Sequence, residues 1–437
     1  MTIVYLLVEE SFRELASRQA IAAECVALGY EVVIAQQWWF SANLGSLPAG
    51  IVLFKGNNRP QGALMAEAKR HGHAVTSIEE EAFGTVYEPE MKSLYDPLAV
   101  ESADRLFVQG SIHRNFLAAW FPALRDKISV VGNPRTDILL HALGDATRRK
   151  AEDLRRQYGD FVLVNTNCAS INPFDIDTYS YYLRCVDVGV LNPKDSEDIK
   201  RFDTLMSWEH SNLREMSRFL REFARIAPEI PVIVRPHPSE NHRTWEAFVS
   251  GISNAGLVRD HDHIAWILAA RAMLHTGCTT GLESALVGTA SVGICPDHHP
   301  WHAGFISNLA SIVRETGQDA AALCKAMVTG SSGNAEMPRD DLFRRLRPAL
   351  EIDLEERSAR RLAEALVDLR SPEKRATGAT EIRPGMFERL SGRRHEKAFV
   401  EEPVFSATWE AMTNALGLAR NTKPTEIAPS VFHIAAT

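Results

Sequence analysis

Three short stretches of the chain bring together side chains able to hold an anion, and a fourth sets acids side by side. Arg235-Pro-His-Pro238 ends the β-branched run Ile230–Val234. Pro236 and Pro238 remove two backbone donors and bias Arg235 and His237 toward extended backbone, which narrows the orientations of both side chains. A fixed Arg/His pair suits a phosphate. A strand simply ended by prolines is the plainer account, but it leaves the cationic and titratable residues unexplained. In His275-Thr-Gly-Cys-Thr-Thr-Gly-Leu-Glu283, Gly277 and Gly281 let backbone approach a ligand closely, and Thr280 can cap a helix with Glu283 reaching back. A helix start with free amides, lined by Thr276, Thr279 and Thr280, is an anion site; taken alone it is a capping box. Asn165 and Asn167 either bind a ligand or shape a turn. In Glu79-Glu80-Glu81, mutual repulsion and partial burial can raise one carboxyl pKa into the general-base range, or the run is a solvated loop.

Each stretch follows a segment that reads as a strand. The chain opens with a strand at Ile3–Val8 and a helix for which Ser11 and Glu14 form a capping box, before Gly29 stops it. Strands are then predicted at 31–35, 50–54, 74–78, 105–109 and 128–131, with helices at 61–71 and 115–121 between them. A polar helical stretch, 141–158, suits an interdomain connection. The rhythm restarts with strands at 161–164, 231–234, 272–275 and 290–294 and helices at 203–226, 245–250, 264–270 and 282–287. Short β-rich runs alternating with helices imply right-handed βαβ units and parallel sheets, which bind ligands beyond the carboxyl ends of their strands. The expected organisation is two Rossmann-like halves: an N-terminal domain over 1–140, a connector over 141–160, a second domain over 161–337 and a helical extension over 338–437. Only Ala376–Pro384 looks like a linker.

Composition narrows the function classes. Forty-eight Lys and Arg against 56 Asp and Glu give a net charge of -8, which offers no global basic field for nucleic acid. Six dispersed cysteines without a CxxC pair suggest neither a zinc ribbon nor a disulfide framework, and fit a reducing cytoplasm. The N-terminus turns acidic too soon for a signal peptide, and no apolar run reaches the ~20 residues of a membrane span, so any membrane contact would be peripheral. Walker A, GxGxxG and GxSxG motifs are absent. Asp175-Ile-Asp177 and His298-His-Pro-Trp-His302 read as loops, and no metal site is expected. The basic clusters Arg344-Arg345 and Arg357-Ser-Ala-Arg-Arg361 either approach anionic lipid or form solvated helix faces.

Over roughly residues 1–310 the chain resembles the bacterial surface carbohydrate biosynthesis proteins. The resemblance rests on FRELASRQAIAAECVALGYEVVIA, LPAGIVLFKG, SIEEEAFG, VVGNPRTDIL, VLVNTNCASIN and AWILAARAMLHTGCTTGLESALVGTASVG. It implies an α/β fold of the GT-B type, with two Rossmann-like parallel-sheet domains facing a cleft. It also implies a metal-independent glycosyltransferase of surface polysaccharide or glycoconjugate biosynthesis. The motif layout is similar to that of bacterial sialyltransferases and Kdo transferases, which use CMP-activated acidic keto sugars. Carried over, Glu80-Glu81 match the catalytic acidic pair, with Glu80 the favoured base. His237-Pro238 match the HP motif that engages the CMP phosphate, and Thr279-Thr280 match the hydroxyl pair that holds the nucleotide. Ala82 stands where the acidic motif has glycine, which leaves the register open between Glu80 and Glu81. The implied partners are a nucleotide-sugar co-substrate, with no other cofactor, and a glycan or lipid-linked glycan acceptor at the inner face of the membrane. A UDP-sugar or CDP-polyol donor, or a non-catalytic glycan- or nucleotide-binding role, are the alternatives.

Overall fold

The computed structural model describes residues 2–174, 177–187, 191–260, 262–297, 299–331, 337–367, 369, 396–418 and 422–435. Asp175, His298 and the linker-like 376–384 stretch lie outside the described residues. The chain divides into two compact units, Met1–Gly144 with Leu346–Thr437, and Asp145–Arg345. Among the described residues, no helix is long and apolar enough to cross a membrane.

The first unit is built on strands β1 (Ile3–Val8), β2 (Glu31–Gln36), β3 (Ile51–Phe54), β4 (Ala74–Ile78), β5 (Arg105–Val108) and β6 (Ile128–Val130), all parallel and ordered β2-β1-β3-β4-β5-β6. Both faces of the sheet are covered. Val4, Leu6 and Val8 enter one core, and Ile3, Tyr5 and Leu7 the other. That is why these strands read as continuous apolar runs rather than alternating ones. The helix Ser11–Ala27 begins without the expected capping box: Glu10 is the N-cap, Ser11 Oγ donates to the Lys397 carbonyl, and Glu14 instead accepts from the Glu9 N–H.

The second unit contains β7 (Val162–Asn165), β8 (Val232–Arg235), β9 (Ala255–Leu257), β10 (Ala272–His275), β11 (Ala290–Ile294) and β12 (Ile312–Arg314), parallel and ordered β9-β8-β7-β10-β11-β12. The polar stretch read as a connector is in its larger part a helix of this unit. Asp145–Tyr158 buries Ala151 and Leu154 in the same core as Phe161 and Trp266.

The C-terminal segment is not solely helical, and from Leu346 it belongs to the first unit. Strands β13 (Thr425–Ala428) and β14 (Val431–Ile434) form a hairpin that pairs antiparallel with β2 and covers that edge. The helices Ser358–Val367 and Glu402–Leu416 place Leu362, Leu366, Phe405 and Trp409 against Ile21 and Cys25. The cluster Arg357 to Arg361 is neither lipid-facing nor simply solvated. Arg357 and Arg360 pair with the fully buried Glu24, and Arg361 Nε donates to the Val131 carbonyl. Asp137 caps the helix Ser358–Val367 by accepting from the N–H groups of Ser358 and Ala359 at 3.0 and 2.7 Å. The junction motif VVGNPRTDIL is thus an anchor for the returning chain.

Candidate functional site

In the second sheet the chain order reverses between β7 and β10, the switch point beyond which open α/β sheets leave a crevice. The register sets three of the sequence stretches side by side at that point. Asn165 is the partner of Arg235 on β8, and Val164 pairs with Leu274 on β10, so His275 follows beside Asn165. Asn165 is 2% exposed, and among the described residues neither atom of its amide has a hydrogen-bond partner. The adjoining Thr276 is fully buried with its hydroxyl equally unpartnered. An orphaned buried polar group costs about 1–3 kcal/mol, so two at one switch point mark a place where a ligand or ordered water completes the bonding.

Arg235 stands beside them. Its Nε donates to the Asp260 carbonyl at 2.8 Å, while burial lowers its pKa against the opposing pull of Cys278, Asp260 and Glu283. The planar fork of a guanidinium matches two phosphate oxygens. The backbone N–H of His237 donates to Thr166 Oγ1 at 3.1 Å, and its ring Nδ1 accepts from the Ser239 N–H at 3.2 Å. That second bond assigns the proton to Nε2. Pro238 is exposed and acts through the backbone it restricts; Asn167 is half-buried in the turn after β7.

Other members of the expected donor set do different work. His275 is fully buried: Nδ1 accepts from the Gly277 N–H at 3.0 Å and Nε2 faces Ser311 Oγ at 2.8 Å, and Ser311 in turn donates to the Ser307 carbonyl. With both nitrogens engaged and burial pushing its pKa down to about 3, His275 is a neutral support for the turn and has no ring nitrogen left for a donor. Gly281 is needed for that support, since a Cβ there would lie 2.3 Å from His275 Nε2. Gly277 makes the left-handed turn at φ +85°. The Thr280/Glu283 capping box does not form. Thr279 is the N-cap without a side-chain bond, and Glu283 pairs with His263 Nε2 at 2.9 Å. The amides of Gly281, Leu282 and Glu283 are taken by the carbonyls of Cys278 and Thr279, so the start of the helix Thr280–Val287 offers its dipole and the half-buried Thr279 rather than a row of free N–H groups.

Two buried acids escaped the sequence reading. Glu240 accepts from Thr166 Oγ1, the Cys168 N–H and Trp245 Nε1 at 2.6, 3.1 and 2.5 Å. Glu209, on the helix Ser196–Ile226, accepts from the Ser170 N–H, Ser170 Oγ and the Ile171 N–H, and burial raises its pKa to about 7. Together they fix the turn after β7. The available signal was the pair of hydroxyls in that turn, Thr166 and Ser170, which need acceptors once buried.

In the first unit the three adjacent glutamates separate. Glu79 is 3% exposed and accepts from Asn57 N and Nδ2 and from the Glu81 N–H. Burial raises its pKa to about 8. The most deeply buried acid of the three is therefore Glu79, outside the expected pair. Glu80 forms an ion pair of 2.6 Å with Arg18, whose side chain is 1% exposed and also donates to the Leu7 carbonyl. Glu81 is exposed at the start of a short turn of 3₁₀ helix. Arg18 was legible only as a charge lying on the apolar stripe of Leu15, Ile21 and Ala22. Because the folded-state pKa of Glu79 lies above its ordinary value, its stabilising contribution is present below about pH 4.5 and is lost as pH rises through 8. Glu79→Gln is expected to flatten the fall in unfolding free energy between pH 5 and 8 by an amount on the order of a few kcal/mol. Urea titrations across that range check this; parallel curves for the two proteins would contradict it.

No protein-family profile matches the sequence, and no curated protein matches it. By structure, the chain is similar to UDP-GlcNAc 2-epimerase from Methanocaldococcus jannaschii, with a TM-score of 0.51 at 12% identity over 84% of this chain and 99% of that one. It is similarly related to a protein assigned as UDP-N-acetylglucosamine 2-epimerase from Listeria monocytogenes, with a TM-score of 0.50 at 11% identity over 83% of this chain and 95% of that one. At such identities the likeness establishes the fold, which is α/β of the GT-B class, with two Rossmann-like parallel-sheet units.

Proposed function

We propose that this protein is a glycosyltransferase of bacterial surface glycan biosynthesis whose second unit holds the phosphate of a nucleotide-activated sugar at the β7/β10 switch point. The observation that carries the reading is the pair of buried, unpartnered side chains, Asn165 and Thr276, at the strand ends next to Arg235. An amide, a hydroxyl and a guanidinium make a set of donors suited to phosphate oxygens, and the Asn165 carbonyl can also accept from a ligand hydroxyl. In the reaction, the bond between the anomeric carbon and the phosphate oxygen breaks and the acceptor oxygen bonds to that carbon. Negative charge grows on the leaving phosphate, where Arg235 and the Nε2–H of His237 stabilise it. A general base must take the proton of the acceptor hydroxyl, and Glu80, its carboxylate held by Arg18, is the first unit's candidate for that role. The donor we favour is a CMP-activated acidic keto sugar of the Kdo or nonulosonic acid type. A UDP-sugar is the second reading, since UDP is the nucleotide in the names of both structural neighbours.

Cys278 provides the test. It lies in the turn between Thr276 and Thr279, it is half-buried, and the other five cysteines are buried. Burial pushes the Cys278 thiol up, so native alkylation is run at alkaline pH, and peptide mass analysis is expected to find Cys278, the most exposed of the six, modified first. CMP at ~100 times its Kd is expected to slow that modification roughly 100-fold, with UDP and CDP slowing it less. Protection by UDP but not CMP would move the donor to the second reading, and protection by none of the three would overturn the nucleotide site.

A further inference from the structure

We propose that Glu240 is a positioning residue that sets the direction of the His237 ring through Thr166; the inference rests on the phosphate-binding reading of His237 given above. Glu240 is fully buried, three residues beyond His237, in the turn that follows β8. One of its oxygens takes the Thr166 hydroxyl proton at 2.6 Å and the Cys168 N–H at 3.1 Å, both from the turn that follows β7. The other takes Trp245 Nε1–H at 2.5 Å, from the helix His242–Val249. With its O–H donated in a hydrogen bond to Glu240, Thr166 Oγ1 presents its lone pairs to the His237 N–H at 3.1 Å. The loop is closed from the other side by the Glu240 N–H, which donates to the His237 carbonyl at 2.9 Å.

His237 is therefore held at both its amide and its carbonyl by groups that Glu240 orients. Pro236 and Pro238 restrict the backbone torsions on either side, but neither can fix which hydroxyl lone pair the His237 amide meets. Glu240 does so because both of its oxygens accept in this network, the one facing Thr166 also taking the Cys168 N–H and the other taking Trp245 Nε1–H, so Thr166 donates toward it and accepts from His237. The same bonds join the turn that follows Asn165 to the turn that follows Arg235, so the placement of His237 beside those two paired strand ends depends on one buried acid.

The test is a double-mutant cycle read by isothermal titration with CMP, or with UDP if only UDP protects Cys278. Thr166→Val keeps the shape and removes the hydroxyl; it is expected to weaken binding about fivefold in the wild-type background and to have no further effect in His237→Ala. Thr166→Ser is expected to restore wild-type affinity. Equal losses from Thr166→Val in both backgrounds, or no loss in either, would overturn the positioning role. Unchanged affinity in His237→Ala would instead overturn the phosphate role of His237, so the two failures are distinguishable. Should Thr166→Val not fold, Glu240→Gln replaces it in the same cycle. The glutamine offers an N–H where Glu240 only accepts, and the same non-additivity is expected.

Discussion

Arg235→Met is expected to weaken nucleotide binding by about 10²- to 10³-fold, or about 3–4 kcal/mol, while leaving the fold intact. Among the described residues the side chain makes one hydrogen bond, from Nε to the Asp260 carbonyl, and its apolar stem can be replaced by methionine at little change in volume. What the variant removes is the charge-assisted fork at the switch point. Arg235→Lys is expected to recover part of the loss, because an ammonium keeps the charge but not the bidentate geometry. Titration calorimetry with the nucleotide that protects Cys278, together with a thermal melt of each variant, checks both statements. A variant that binds as tightly as wild type would show that Arg235 serves only its contact with Asp260.

The second large effect is on stability. Gly132, in the motif VVGNPRTDIL, takes φ +80°, and a Cβ there would lie 2.5 Å from the Glu351 carbonyl oxygen and 2.4 Å from Ser358 Oγ. Gly132→Ala therefore combines left-handed strain, about 1–2 kcal/mol, with a clash against backbone, about 1–3 kcal/mol. A loss of about 3–4 kcal/mol from the first unit is expected in denaturant unfolding, a large share of the 5–15 kcal/mol typical of a domain. The neighbouring bonds from Ser358 and Ala359 to Asp137 would be disturbed with it. A loss below 1 kcal/mol would mean that the returning segment adjusts freely.

What could be read from the sequence follows from which interactions are local. β1, β4, β10 and β11 were legible to the residue, because strands buried on both faces are rich in apolar residues, with only Thr76 and Ser77 in β4, His275 at the end of β10 and Ser291 in β11 departing from that. Asn165 and Arg235, expected just after strands 161–164 and 231–234, are instead their last residues, His275 ends its strand as expected, and the sheet register brings the three together. Partners far apart in the chain were not legible. Glu24 finds Arg357 333 positions later, and Gln19 donates to the Phe405 carbonyl 386 positions later, so nothing near the C-terminal helices announced that they complete the first unit. Nor could sequence sort the glutamates. Which of Glu79, Glu80 and Glu81 is buried depends on Asn57 and Arg18, contributed by other elements. His275 and Glu283 illustrate the same limit, since a histidine ending a strand and a TxxE pattern look alike whether they face a ligand or, as here, Ser311 and His263.

A crystal of the protein soaked with CMP tests the central claim most directly. The account predicts phosphate oxygens within about 2.7–3.2 Å of the Asn165 amide, the Thr276 hydroxyl and the Arg235 guanidinium. A nucleotide seated elsewhere on the second unit, with Asn165 and Thr276 bonded only to ordered water, would contradict it.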